Sequence, residues 1–243
     1  RAIGGPKFEE KSTVGKLTAR SPKGLRFRTD DPRLQPIDAA LEQELRDVFR
    51  PYLDDDILDI VRRIGAGTGS VNVDRFYFLV GPRDEADPRA ALRLSHVVEA
   101  KRQRAAALIR HFPEMSPVNR LEPAHLTVDC QRRMMRRPDL VLDELVWREA
   151  HWLLRSRHNA RYGVDPGALL DAKNTRDALA DYASACGETL ALAHARADRR
   201  STRFETAMKT ALKRGGDALL SAGAAYADRV IGDHALMAGA LPR

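Results

Sequence analysis

The sequence predicts an α+β protein, with a small mixed or antiparallel sheet lobe followed by an alanine-rich helical part. Three observations carry this expectation. Short runs of strand-forming residues recur between residues 57 and 154, separated by turns bearing glycine and proline. Past Arg155 that pattern stops and alanine takes over, with apolar residues at i, i+3 and i+4, as in Leu179, Tyr182, Ala183 and Cys186. Before the strands lies a polar segment rich in Gly, Lys, Ser and Thr that ends at Pro32 and Pro36. The expected organisation is an extended segment over 1–36, a sheet-containing lobe over 37–160 and a helical part over 161–243.

The elements follow in order. Residues 1–31 show little apolar periodicity, so they are expected to be extended and mobile, with a short strand possible at 25–28. Ile37, Leu41, Leu45 and Phe49 stand at helical spacing with Asp38 in the first turn, and Pro51 ends or kinks that helix. Residues 57–64, 75–80 and 90–100 read as three strands. The loop Gly81 to Pro88 suits an exposed hairpin connection. A short helix is expected over 102–111 and a longer one over 122–135, with Pro113 and Pro117 breaking the chain between them. Residues 140–154 read as one or two strands at the far edge of the sheet. Two long helices, 171–197 and 203–241, are expected to pack as an antiparallel pair or within a bundle, the second broken at Gly215 and Gly216 because each glycine costs ~1 kcal/mol relative to alanine in a helix.

Composition narrows the function classes. At 243 residues, 43% hydrophobic and 31% charged, the chain can bury a sizeable core. Aromatics make up only 6%, so that core is expected to rest on Leu, Val, Ile and Ala. No run approaches the roughly 18 apolar residues that cross a membrane, and the N-terminus has no apolar signal-peptide centre. Cys130 and Cys186 are too few for a disulfide framework or a four-thiolate zinc site, which points to free thiols in a cytoplasmic protein. The net charge is +7, with 33 arginines and eight lysines scattered along the chain. No basic patch alternates with aromatics, so nucleic-acid binding is not the expectation. The chain begins with arginine rather than methionine, so a further segment is expected before Arg1.

The chemistry-bearing stretch is 64–80, IGAGTGSVNVDRFYFLV. Gly65, Gly67 and Gly69 alternate, Ser70 follows, and a turn of this kind between strands can aim several N–H groups at a phosphate. Asn72 stands where a third glycine would complete G-x-G-x-x-G, and asparagine tolerates left-handed backbone. Lys101, at the end of the third strand, can serve as a point-charge donor to phosphate oxygens. Glycine loop, strand, then strand-borne lysine is the order found in the small lobe of protein kinases. Such a lysine needs a carboxylate on the following helix, for which Asp129 and Glu122 are the candidates. The plainer alternatives stay open, namely a flexible hairpin turn and a solvated lysine. His194 and Asp198 share a helix face without a metal-binding pattern, and neither cysteine lies in a catalytic signature. No H-x-D-x-x-x-x-N or D-F-G occurs, and Asp165, Asp171 and Asn174 lack the spacing that phosphotransfer needs.

Several short segments in a shared order give the chain a resemblance. AGTGSVNVDRF (66–76), VEAK (98–101), DCQRRM (129–134), CGETLALAHARADRR (186–200) and AAYADRVIGDH (224–234) are similar to the bacterial family called domain of unknown function 2252, over about residues 11–241. That family is grouped with kinase-like and aminoglycoside-phosphotransferase-like folds. The resemblance implies that segments G-D-x-H-x-x-N-F and N-D-F-D, which are like a catalytic loop and a metal-binding aspartate, precede the region present here. It further implies that Gly67, Gly69 and Ser70 form a phosphate loop, that Lys101 is the phosphate lysine and that Asp129 is its helix partner. Asn72 in place of glycine and Asp129 in place of a longer glutamate depart from that pattern. The function expected is therefore the ATP-binding portion of a kinase-like phosphotransferase of unknown acceptor, using ATP with Mg²⁺ and inactive without its catalytic loop. The alternative is a non-catalytic α+β module whose alanine-rich helices bind a protein partner.

Overall fold

Strand-forming runs that pair with one another build the sheet at the heart of the first unit. The computed structural model describes residues 8–22, 24–65, 72–106, 109, 111–115, 122–157, 164–198 and 201–240. Compactness divides the chain at Ala183/Ser184.

The first unit opens with two short helices, α1 (Phe8–Lys11) and α2 (Thr13–Leu17), and a hairpin of β1 (Thr18–Ser21) and β2 (Gly24–Phe27). Ser12 caps α2 by accepting from Gly15 N at 3.0 Å. The described residues of this stretch, 8–22 and 24–27, are thus folded rather than extended, because Val14 and Phe27 find an apolar surface to bury.

That surface belongs to a six-stranded antiparallel sheet of β3 (Leu34–Gln35), β4 (Ile57–Arg63), β5 (Arg75–Val80), β6 (His96–Arg102), β7 (Leu142–Trp147) and β8 (Ala150–Arg157). The spatial order is β3-β4-β5-β6-β8-β7. Alternate residues sort onto two faces. One face, with Phe76, Phe78, Val98, Trp152 and Leu154, packs against Leu45 and Phe49 of α3 (Ala39–Phe49). Asp38 caps α3 rather than entering its first turn, accepting from Leu41 N at 2.8 Å. The other face buries Tyr77, Leu79 and Val97 under Val14, Leu17, Leu25 and Phe27.

An aromatic group sits at the centre of the first face, where Phe49 lies 5.1 Å from Phe78, 5.7 Å from Trp147 and 6.2 Å from Trp152. The core therefore does not rest on aliphatic residues alone, because alternation gathers a few aromatics and both tryptophans of the chain onto one side.

Two boundaries differ from expectation. Residues 88–94 are helical, forming α4 (Pro88–Leu94), and only 96–102 are strand. Asp87 accepts from Arg89 N at 3.0 Å and Pro88 occupies the first helical position, a start signal that outweighs the apolar run. Arg102 closes β6 and residues 103–106 carry no regular structure, so the helix expected over 102–111 does not begin at Arg102, although Ile109 and His111 are helical. The helix expected over 122–135 is present as α5 (Pro123–Met134), and the segment after it is two strands, with β7 at the sheet edge as expected. Arg148 and Glu149, both left-handed at φ 48° and 55°, make the two-residue turn joining β7 to β8.

Beyond the sheet come α6 (Pro166–Leu170), α7 (Thr175–Ala197) and α8 (Arg203–Ala240). The unit boundary falls within α7. Gly215 breaks α8 with φ −133° and ψ 16°, as the paired glycines predict. Neither α7 nor α8 contains a buried residue, and His194 of α7 lies edge-on to Phe204 of α8 with ring centroids 5.7 Å apart. No described helix is long and apolar enough to cross a membrane.

Candidate anion-binding site

The sheet register turns β5, β6 and β8 into a grid of side chains on the face opposite α3. Arg75 is opposite Lys101, and Lys101 is opposite Leu153. In the next row Tyr77 is opposite Glu99, and Glu99 is opposite Arg155. In the third, Leu79 is opposite Val97, and Val97 is opposite Arg157. Glu99 is the centre of this grid and has no exposed surface. Its Oε1 accepts from Arg155 Nε at 3.0 Å and lies 2.9 Å from Nη2 of the same guanidinium. Its Oε2 accepts from Arg157 Nη1 at 3.0 Å and from Arg75 Nη1 at 3.3 Å.

A single buried carboxylate therefore holds three guanidinium groups. Burial pushes the Glu99 carboxyl upward, but Arg155, Arg75 and Arg157 together outweigh it and hold it below the ordinary glutamate value. Lys101 lies on the same face, and its amine is pulled below the ordinary lysine value by burial first and by Arg75 second. No ion pair joins Lys101 to any carboxylate among the described residues. Glu144, opposite Leu153 on β7, is the next acid along the row, and it pairs with His125 of α5. Arg157 also lies over the Tyr77 ring, 5.2 Å from its centroid.

Sequence-predicted residues fall into three groups. Gly67, Gly69 and Ser70 lie outside the described residues. The ends of their loop are in place. Gly65 has φ 63° and Asn72 has φ 56°, so the asparagine adopts the left-handed backbone that a glycine there would supply. Arg104 Nη2 donates to Asn72 O at 2.8 Å, and Arg102 N to Asp74 O at 3.0 Å, which fixes the loop's second end against β6. Lys101 is opposite Arg75, the first residue of β5 after that loop, on the face shared with α5. Asp129 is elsewhere. Helix α5 seats Val128 on Leu142 and Leu153, toward the far edge of the sheet, and Asp129 pairs with Arg133 one turn on at 2.9 Å. Glu122, the other candidate, pairs with His151 at 2.7 Å.

Arg75, Arg155 and Arg157 were not picked out by residue pattern, nor was Glu99 beyond its place in VEAK. The signal was present in β8, where Leu153, Arg155 and Arg157 alternate with apolar or small partners and so must share a face. A cavity of about 380 Å³ lined by Arg26, Arg46, Ile57, Leu58 and Arg83 lies elsewhere. Two of its arginines are otherwise engaged, Arg46 by Glu42 and Ile57 O, Arg83 by Asp56.

The arrangement can hold a negatively charged group. It offers no metal site, because no three His, Cys, Asp or Glu residues cluster suitably among the described residues. Both cysteines are free and exposed. The fold and this cluster define a mixed α+β protein with a cation-rich face at the centre of an antiparallel sheet. The chain belongs to the family described as "Uncharacterized protein conserved in bacteria (DUF2252)", whose match covers residues 7–240. No curated protein matches it. No solved structure matches it either.

Proposed function

We propose that this chain is the nucleotide-binding lobe of a kinase-like phosphotransferase. The observation that supports it best is the placement of Lys101. The first two strands of the meander, β4 and β5, flank the glycine loop, and the lysine is on the third strand opposite the loop's exit. The helix that follows, α5, packs on the lysine's face of the sheet. This is the order of parts by which kinase small lobes hold ATP phosphates. In this proposal Gly67, Gly69 and Ser70 contact phosphate oxygens, Lys101 neutralises them, and Asp129 is the helix carboxylate, now engaged by Arg133. The catalytic loop and the acids that would hold Mg²⁺ are supplied by residues outside this chain, and the acceptor is unspecified. ATP binding is tested by calorimetric titration. Saturable binding that Lys101→Ala abolishes supports the proposal, and the absence of binding by any nucleotide counts against it.

A second reading has its own support. Leu190, Leu192, Leu219, Leu220, Ile231 and Leu236 are all exposed on α7 and α8. Exposed apolar side chains in this number suit a surface that another protein covers. A protein-interaction module predicts that shortening the chain before α8 removes partner capture while leaving ATP without effect.

A further inference from the structure

We propose that Arg75, Lys101, Arg155 and Arg157, arranged around Glu99, form a receptor for a phosphate chain of two or more phosphates that is recognised by charge rather than by an attached base. The proposal shares Lys101 with the nucleotide reading and deepens it, but it stands on the arginines and needs neither the glycine loop nor a base.

The first ground is charge. Three guanidiniums pair with one buried carboxylate and the Lys101 amine shares their face, which leaves the grid in excess of positive charge even when Glu144, which pairs with His125, is counted. Arg75 and Lys101 are directly opposed on adjacent strands, an arrangement of like charges that destabilises a sheet. An anion between them removes that repulsion.

The second ground is unused donor capacity. Among the described residues, Arg75 Nε and Arg157 Nε are buried and have no hydrogen-bond partner. The Arg75 side chain is only 10% exposed, so water does little to satisfy it. Guanidinium forks match phosphate oxygens in geometry, and a compact ammonium adds a point charge.

The third ground is preorganisation. All four cations stand on β5, β6 and β8, strands flanked on both sides by others, and Glu99 fixes three of them in advance. A site held this way loses little side-chain freedom when it binds. Access remains through Arg155 and Lys101, both partly exposed.

The fourth ground concerns what the face lacks. Its apolar part, Tyr77, Leu79 and Val97, is already covered by Val14, Leu17, Leu25 and Phe27. The partly exposed groups of the grid, Lys101, Arg155 and Arg157, are cationic, which suits a phosphate chain.

The test is calorimetric titration of the full chain at matched ionic strength with tripolyphosphate, pyrophosphate, ATP, GTP, adenosine and sulfate. The expected result is saturable binding of tripolyphosphate, ATP and GTP with affinities of the same order, weaker pyrophosphate, and none with adenosine or sulfate. Lys101→Met and Arg155→Met should each weaken tripolyphosphate about ten- to a hundredfold. Lys101→Met should also raise thermal stability without ligand, because it removes the repulsion with Arg75, so lost binding in that variant is not lost folding. Binding of ATP without tripolyphosphate overturns the proposal and leaves the nucleotide reading standing. Binding of tripolyphosphate without ATP sustains the proposal and sinks the nucleotide reading. A chain that binds none of these anions, or binds sulfate as tightly as tripolyphosphate, overturns the proposal, and the cluster is then a structural ion-pair network.

Discussion

Glu99 of β6 and Arg155 of β8 face each other directly across the centre of the sheet, and one carboxylate oxygen accepts from Arg155 Nε at 3.0 Å with Nη2 at 2.9 Å. Because Glu99 is fully buried, solvent screens this contact less than it would an exposed pair. It also orders Arg157 and Arg75 through the second oxygen.

Removing the carboxylate should therefore expose the cost of what it neutralises. Glu99→Ala leaves three guanidiniums without their anion and is expected to cost ~3–5 kcal/mol. Glu99→Gln keeps the shape and isolates the charge. Since the carboxyl is held below its ordinary value of 4.5, its contribution is complete above that value and is lost as pH falls through it and then through the lower folded-state value. Urea unfolding at several pH values should show a large gap between wild type and Glu99→Gln at neutral pH that closes in acid. A gap of constant size would remove the charge from this account.

Asp59 carries the opposite sign. Its Oδ2 accepts from Phe27 N at 2.8 Å, tying β2 to β4, and its Oδ1 accepts from Ile60 N at 3.0 Å. Burial nevertheless pushes its carboxyl above the ordinary aspartate value of 3.8. The protonated acid is thus favoured in the folded state, and this group's contribution falls as pH rises from 3.8 through the raised value. Asp59→Asn, which retains an acceptor, should equal or exceed wild type in thermal stability at neutral pH. Asp59→Ala should lose ~1–3 kcal/mol by stranding the Phe27 amide.

Phe49 is the point where helix and sheet aromatics meet. Phe49→Ala is expected to cost ~3–5 kcal/mol by lost burial and a cavity. Both tryptophans touch its ring, so their fluorescence reports the change during denaturant unfolding. An unshifted midpoint would show that α3 is not the cover of this face.

Gly81 is required by a close approach rather than by its backbone angles. A Cβ there would lie 2.3 Å from Ser95 Oγ and 2.9 Å from Ser95 Cα. The Cα cannot rotate away, so Gly81→Ala must shift the end of β5 from the start of β6. The expected loss is ~1–3 kcal/mol in thermal unfolding. Gly215→Ala is the contrast, since nothing lies within 4 Å of its added Cβ. Helical circular dichroism should rise, by straightening α8 at a non-helical residue.

Local signals were read correctly where a short window contains the cause. The apolar runs of β4 and β5, the proline-led start of α5, the interruption at Gly215 and the left-handed backbone at Asn72 each follow from residues within one turn of the feature. Residues 90–94 were misassigned because an apolar run is compatible with helix or strand, and the cap at Asp87 and Pro88 decided it. The apolar side chains within 8–27 are few and have no period, so local sequence does not show their fold, and only the waiting face of the sheet rewards burying them.

By itself, then, the chain determined its α+β class, most of its strands and the position of Lys101 at the end of the third strand of the meander. Tertiary structure decided what stands beside that lysine. Asp129 pairs with Arg133 of its own helix, while Arg155 and Arg157, more than fifty residues along the chain, arrive next to Glu99 because β8 inserts between β6 and β7. The physical reason is register. Alternation assigns each side chain to a face from local sequence, but which charges become neighbours depends on how distant strands align, and burial then makes those few pairings energetically decisive.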